Sequence, residues 1–404
     1  MKPLEGIKVV EMGTHVAAPT CARMMADWGA DVIKVENTKG EAYRTVGLSW
    51  LLPVAEDNNP ILQPGNCNKR SISINLKDPA GKEILFRLLE DADVFLTNTR
   101  PQALVKLGLD YDSLKDRFPK LIYALFTAYG LNGPDKDAPG FDTAAYWGRG
   151  GMLTDWNPKE MTPGRPHPGF GDATVGAAML AAISSCLFRR TKTGEGDFVT
   201  SSLYGAAVWY NHHGVVEAQY PGHDNPISRY DAPRPLTPVY KSADGKVFYI
   251  IEQAYDEKAP EFFKRLGLDK LANDPLFVNC VESRKNMKFV VDTLDEEFAK
   301  INYDDIDQVC KDLNMVHSYI GTSKEILSDP QAWENNYLRK ITLENGDELI
   351  VPNTPVQFGS VKEMPVKLAP HLGIDTRDIM RGLGYTDEQI SEMAAAGTIN
   401  THGN

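Results

Sequence analysis

Cysteine is scarce: Cys21, Cys67, Cys186, Cys280 and Cys310 are scattered singly, with no C-x-x-C pair. That spacing suits neither a disulfide frame nor a zinc site and predicts reduced thiols in a cytoplasmic protein. Long hydrophobic runs are missing too. The longest mostly apolar stretch, Val175 to Phe188, is short for a bilayer span and rich in Ala and Ser, so no membrane partner is expected. The opening MKPLEGIKVVEMG has neither an apolar stretch of signal-peptide length nor a small-residue cleavage site, which argues against secretion. Basic charge is in deficit, with 43 Lys and Arg against 55 Asp and Glu and a net charge of -12. A nucleic-acid partner needs a broad positive surface and is therefore not expected, whereas a small anion needs only a local cluster. No G-x-G-x-x-G, G-x-S-x-G, H-E-x-x-H or Walker pattern occurs. No metal site is expected either. His212 and His213 are adjacent and face apart on a helix, and Asp304-Asp305-x-Asp307 has too few ligands and no glycine turn for a calcium loop.

What is present is an ordinary globular composition, 42% hydrophobic and 24% charged over 404 residues, enough for two or three domains. The first 130 residues alternate between two hydrophobic periods. Strand-like segments Ile7–Met12, Asp31–Glu36, Ser71–Leu76, Val94–Leu96 and Leu121–Phe126 are separated by helical stretches such as Pro19–Gly29 and Pro79–Asp91. This predicts an α/β protein with an open, Rossmann-like, mostly parallel sheet and right-handed crossovers. Residues 130–171 are rich in Gly and Pro and read as a long irregular segment of the kind that carries function. A small-residue helix is expected over Thr174–Arg190. The expected domains are a large one over 1–215 completed by 326–404, a Pro-rich linker over 216–239, and a smaller α+β domain over 240–325. The tail is expected to return as a strand over Leu349–Phe358 and to end in a helix opened by the capping box Thr386-Asp387-Glu388-Gln389.

Three constellations could carry chemistry. Gly13-Thr14-His15-Val16-Ala17-Ala18-Pro19 joins a parallel strand to a helix, the place where doubly wound sheets bind phosphates. Glu36 ends the second strand where a dinucleotide fold puts its ribose ligand, but the fingerprint glycines are missing, so a nicotinamide reading is disfavoured. Lys69, Arg70, Lys77, Arg100 and Lys106 follow successive strands; singly they are solvated charges, together they could form an anion patch. Asp172, in Gly169-Phe170-Gly171-Asp172-Ala173-Thr174, takes the N-cap position of the small-residue helix. It is either a simple cap or, if the helix dipole keeps it ionised and its small neighbours leave room, a carboxylate nucleophile.

Several long motifs occur in one order: PLEGIKVVEMGTHVAAP, WGADVIKVEN, NCNKRSISINLKDPAGKEI, TNTRPQALVKLGLDY, and Gly-Asp before a small-residue helix. Over nearly its whole length the chain resembles the class III CoA-transferases, the group that includes formyl-CoA and carnitine CoA-transferases. The resemblance implies that Asp172 is the nucleophile, forming a mixed anhydride with the donor acyl group and then an aspartyl-CoA thioester. It implies CoA contacts at His15, Val16 and Ala17, at Ile74, Asn75, Leu76 and Lys77, at Asn98, Thr99 and Arg100, at Lys106, and at Pro139, Gly140, Phe141 and Asp142. CoA and acyl-CoA are then substrates, with a carboxylic acid as the other partner and no tightly bound cofactor. The family's common arginine after the second strand is Asn37 here, and Arg44 is a candidate replacement. No equivalent of the Gly-rich loop that covers the intermediate in formyl-CoA transferase is found.

Within the same fold, 2-methylacyl-CoA racemases place a histidine in a Gly-His-Asp triplet. Here the triplet is Gly140-Phe141-Asp142, which lacks the second proton-transfer group. The run GPDKDAPGFDTAAYWGRGGM most resembles enzymes that pass CoA from an enoyl-CoA to (R)-2-hydroxy acids of amino-acid fermentation, such as 2-hydroxyisocaproate or phenyllactate. A dicarboxylate or carnitine-like acceptor is the alternative. Tyr146, Trp147 and Met152 are expected either to wall the acyl pocket or to belong to the core. The resemblance also implies an interlocked homodimer.

Overall fold

The computed structural model describes residues 1–222, 226–361 and 366–403. Part of the expected linker, residues 223–225, lies outside them. The chain forms two compact units. The first contains Met1–Met152, Arg165–His212 and Pro330–Asn404, and the second Leu153–Gly164 and His213–Asp329. Leu153–Gly164, placed by the sequence in the large domain, thus goes with the second unit.

The first unit is built on β1 (Lys8–Met12), α1 (Ala17–Asp27), β2 (Asp31–Glu36), β3 (Arg70–Ile74), α2 (Pro79–Glu90), β4 (Val94–Thr97), α3 (Pro101–Leu107), β5 (Ile122–Thr127), α4 (Phe170–Thr193), β6 (Asp197–Ser202) and α5 (Leu203–Tyr210). With β12 (Ile399–Asn400) near the C-terminal end of the sequence, the seven-stranded sheet has the order β12-β3-β2-β1-β4-β5-β6. Neighbouring strands from β3 to β6 pair in parallel, and β12 closes one edge antiparallel to β3.

Side chains alternate along these strands, so each sheet face buries its own set. Val9, Val32, Leu96, Ala124 and Phe126 pack under α1 and α4. Val10, Ile33, Ile72, Phe95 and Tyr123 pack under α2 and the C-terminal helices. Consecutive strands lie on opposite sides of β1, because β2 is one neighbour and β4 the other. The reversal opens a crevice at the C-terminal ends of β1 and β4, where open α/β sheets bind ligands.

The second unit is α+β. An antiparallel sheet, β7 (Tyr240–Lys241), β8 (Val247–Ile251) and β9 (Val316–Tyr319), shares a core with α6 (Tyr255–Arg265), α7 (Met287–Phe298) and α8 (Tyr303–Asp312). The strand expected over Leu349–Phe358 is shorter. It is β11 (Glu348–Pro352), which pairs with β10 (Leu338–Thr342) as a separate hairpin and does not join the main sheet. After it come α9 (Thr376–Gly382) and α10 (Asp387–Ala395), and α10 starts with the capping box of Thr386 and Gln389.

Helix α4 starts earlier than the sequence suggested. Its 24 residues are long and apolar enough by composition to cross a membrane, but Val175, Met179, Ile183 and Leu187 seat it on the sheet as a core helix. Gly176 lies over the Ala17 carbonyl, where an added Cβ would come within 3.1 Å, so α1 and α4 approach closely.

Candidate active site

The turn after β1 is held from beneath by buried charge. Glu11 and Lys34 are register neighbours on β1 and β2. Lys34 Nζ lies 3.3 Å from Glu11 Oε1 and 2.8 Å from Glu41 Oε1, and it donates to the Gly13 carbonyl at 2.9 Å. Burial alone would push the Lys34 ammonium down, but Glu11, Glu41 and Glu36 hold it above its ordinary value. The second Glu41 oxygen accepts the His15 amide at 2.7 Å. From the other side, Asn98 accepts the Thr14 amide at 2.9 Å and donates to the Thr14 carbonyl at 2.7 Å. These bonds keep His15 in the left-handed region at φ 63°, which is unfavourable for a residue with a Cβ.

Two expected ligand groups are committed to this interior. Lys69, offered above as part of an anion patch, is buried and bonded to Glu11 at 2.6 Å, and burial pulls its ammonium down to about 8. Arg44 is bidentate to Glu36, at 2.8 and 2.6 Å, and reaches the Pro370 carbonyl. Glu36 therefore serves Arg44 and not a ribose. Arg44 is tied down where a replacement for the family arginine would need to be free. Arg70 pairs with Asp31 at the opposite ends of the strands. Of the basic set, Arg100 alone lines the crevice, which also has Lys136, a group the sequence reading missed.

The crevice is a cavity of about 370 Å³. It brings together His15, Val16, Ala17, Asn98, Thr99, Arg100, Gly140, Phe141 and Asp172 from the expected site. Thr14, from the turn singled out in the sequence, lines it too, and Gln102, Thr127, Ala128 and Lys136 are additions to the expected residues. Thr127 ends β5 and Ala128 follows it, and the crevice rule could have found them. Ile74 is fully buried in the core, and Asn75 bonds its amide to the Thr398 carbonyl beside β12. Leu76 is partly buried, whereas Lys77, Lys106 and Pro139 are exposed; none of these six residues lines the cavity.

Asp172 is not the N-cap. That position is Gly169, left-handed at φ 99°, and Asp172 is the third residue of α4. The helix is capped from outside. Asp142, itself buried, accepts the Gly169 amide at 2.9 Å and the Asp172 amide at 3.2 Å. Gly171 is required between them, because an added Cβ would lie 2.4 Å from Asp142 Oδ1 and 2.3 Å from the Tyr146 ring. With its helix donors taken, the Asp172 carboxyl lacks the amide contacts that were to hold its pKa down. Burial, followed by the Asp142 charge, pushes it up to about 7.

A second cavity of about 350 Å³ shares His15 and Val16 with the first and touches Gly169, the N-cap of α4, and Ala173, which follows Asp172. Its lining is mainly apolar and includes Met24, Tyr43, Trp50, Ile61 and Pro168. Tyr43 and Trp50 meet edge to face at 6.4 Å between ring centres. Tyr146, Trp147 and Met152 line neither cavity; of the two expectations for them the core one holds, with Tyr146 and Met152 buried under α4 and Trp147 packed partly buried against the same core.

The sequence pattern of CoA-transferase family III matches residues 4–376. The chain belongs to that family. This CoA-transferase is 36% identical over 388 residues to the (R)-2-hydroxy-4-methylpentanoate CoA-transferase of Clostridioides difficile, covering 96% of this chain and 97% of that protein. It is 35% identical over 392 residues to the cinnamoyl-CoA:phenyllactate CoA-transferase of Clostridium sporogenes, covering 96% and 95%. The crystal structure of a CAIB/BAIF family protein from Brucella suis superposes with a TM-score of 0.82 at 27% identity, covering 95% of this chain and 99% of that one. The enzyme is thus a class III CoA-transferase with CoA as a substrate.

Proposed function

We propose that the enzyme moves CoA from an enoyl-CoA to an (R)-2-hydroxy acid with an apolar side chain, using Asp172 as nucleophile. The observation that carries this reading is the position of Asp172. Asp172 lines the larger cavity, and Gly169 and Ala173 of the same helix start line the apolar one. CoA enters the first cavity past Arg100 and Lys136, its thioester at Asp172, with His15, Val16, Ala17, Asn98, Thr99, Gly140 and Phe141 as walls. Asn75, Leu76, Lys77, Lys106 and Pro139 are left for parts of CoA that reach beyond the cavity, whereas Ile74, enclosed in the core, is no contact. The side chain of the acid fills the second cavity, against Tyr43, Trp50 and Ile61.

The steps balance without a cofactor. An Asp172 oxygen bonds to the acyl carbon, and the C–S bond breaks to release the CoA thiolate. The thiolate attacks the aspartyl carbonyl of the anhydride, freeing the donor acid and leaving aspartyl-CoA. The hydroxy acid carboxylate then attacks that thioester, and the returning thiolate takes its acyl group and restores Asp172. A racemase needs a second proton-transfer group, and Phe141 supplies none.

The working form is a homodimer in the cytoplasm, with interlocked chains. Phe170 and Phe188 on α4 and Val208, Trp209 and Tyr210 on α5 are exposed, an apolar set that a second copy of the chain would cover. A transferase assay over enoyl-CoA, succinyl-CoA and acetyl-CoA donors with 2-hydroxy, dicarboxylic and betaine acceptors tests the reading. Turnover is expected with branched or aromatic 2-hydroxy acids. Turnover confined to dicarboxylates or betaines would overturn the acceptor, and isomerisation of a 2-methylacyl-CoA without an acceptor would overturn the class of chemistry.

A further inference from the structure

Asp142 was expected to touch CoA, but its carboxylate is turned inward. It is 3% exposed and stands at the start of a π-helical turn over Asp142–Gly148. Its partners are backbone amides at the head of α4: Gly169 to Oδ2 at 2.9 Å and Asp172 to Oδ1 at 3.2 Å, with Gly171 adding a third bond. The first amides of a helix are its free donors, and an acidic side chain in the first turn ordinarily uses them together with the helix dipole. Here an acid from another segment has taken them.

We propose that Asp142 is a positioning residue of the transfer reaction, fixing the backbone of Asp172 while withholding the helix donors from its carboxylate and facing it with a second negative charge. This rests on Asp172 being the nucleophile. An ordinary aspartate is a far weaker base than the thiolate it must expel, so the first step runs uphill. Withholding donors and adding a like charge makes Asp172 more basic and narrows that gap, in line with the rise of its carboxyl to about 7. As the new C–O bond forms and the C–S bond breaks, the negative charge leaves Asp172 for sulfur, and the repulsion from Asp142 is relieved. No proton is transferred in the step.

The other titratable groups around Asp172 fit this arrangement. Tyr43, from the segment after β2, is pushed up to about 12 by burial and then by Asp172 and Glu41, so it stays neutral. His15 stands against Phe141 at 5.4 Å and Tyr43 at 6.0 Å. Arg100, Lys136 and Asp137 line the same cavity, where Asp137 accepts from Gln102. After burial, it is the charge of Asp142 that raises the Asp172 carboxyl.

The test is the burst of thiol released when the full-length enzyme meets acyl-CoA without acceptor, followed from pH 5 to 9, with the adduct trapped by hydroxylamine and mapped. In the native enzyme the burst rate should rise through about pH 7. Asp142→Asn keeps a side-chain oxygen for one helix amide and removes the charge. It should move the acid limb down by about one pH unit or more and lower the plateau about tenfold or more, with CoA affinity within about twofold. An unmoved limb, with or without weakened CoA binding, would overturn the proposal in favour of a plain cap or a CoA contact. A native adduct mapped away from Asp172 would overturn the nucleophile itself, a distinguishable failure. If Asp142→Asn does not fold, infrared difference spectra of native enzyme against Asp172→Asn decide the matter. A carboxyl titrating near 7 supports the proposal, and one titrating in the ordinary range near 4 overturns it.

Discussion

Lys34 and Glu41 form a buried ion pair at 2.8 Å, directly beneath the turn that carries His15. Both side chains are almost wholly enclosed, so the pair is costly to break from one side. Lys34→Met should destabilise the first unit by about 3–5 kcal/mol, because Glu41 is left buried without its cation. CoA affinity should fall as well, since Glu41 no longer holds the His15 amide in a fixed place. Adding Glu41→Gln should recover much of the stability and little of the affinity. Denaturant unfolding and CoA titration of both variants check this; equal stability of native and Lys34→Met would show that the pair contributes nothing.

Asp172→Asn should abolish turnover by several orders of magnitude, because the attacking oxygen is gone and an amide is a far poorer nucleophile. It should also make the protein more stable. The folded carboxyl is raised to about 7 from an ordinary 3.8, so the native protein is penalised wherever the unfolded chain would ionise it. Its contribution is fully favourable below about pH 4 and is lost as pH rises through 7. The Asn variant should therefore match the native enzyme in acid and exceed it above neutrality, by on the order of 2–4 kcal/mol at most. Melting curves at pH 4 and pH 8 measure the difference. A variant no more stable at pH 8 than the native enzyme would mean that Asp172 is well solvated.

The sequence made the sheet legible and the pairing of its charges obscure, for a physical reason. Strands β1 to β5 announce themselves by runs of branched apolar residues, a local signal. Whether a lysine such as Lys69 faces solvent or a buried glutamate depends on residues 58 positions away, and no local pattern carries that. The same holds at Asp172. A Gly-rich approach to a small-residue helix marks a helix start, and the nearest acid reads as its cap. The acid that caps it sits 30 residues earlier, in the turn that begins at Asp142. The crevice could be foreseen because it depends on strand order alone, whereas the apolar cavity is assembled from Tyr43, Trp50, Ile61 and Pro168, which no motif connects.

The two cavities should separate in mutants. Trp50→Ala should raise KM for a 2-hydroxy acid with an apolar side chain by about 1.5–3 kcal/mol in binding terms, the worth of a large buried apolar contact, with CoA affinity unchanged. Arg100→Ala should do the reverse, weakening CoA by about 1–3 kcal/mol at low salt and less at high salt. Steady-state kinetics with each substrate varied in turn would show it. Parallel losses of both substrates in either variant would mean that the cavities are one site.

Association is the last expectation. Part of the exposed apolar set lies at the site, since Phe170 stands two residues before Asp172 at the start of α4 and α5 begins at Leu203, which lines the CoA cavity; Phe188 is roughly 24 Å farther along α4. An ordinary dimer that covers them separates on dilution by mass action. Interlocked chains cannot part until at least one of them unfolds in part, so their dissociation follows unfolding kinetics. Native sizing at nanomolar concentration should still give a single dimer. Mixing two differently tagged preparations should give no hybrid at 25 °C over hours, and hybrids only after denaturation and refolding. A monomer peak on dilution would rule out the interlock, and rapid hybrid formation would do so even if the dimer were tight. Trp209→Glu offers a further check: a charge placed in a covered apolar surface should cost dimer yield on refolding, whereas on a free surface it should change nothing.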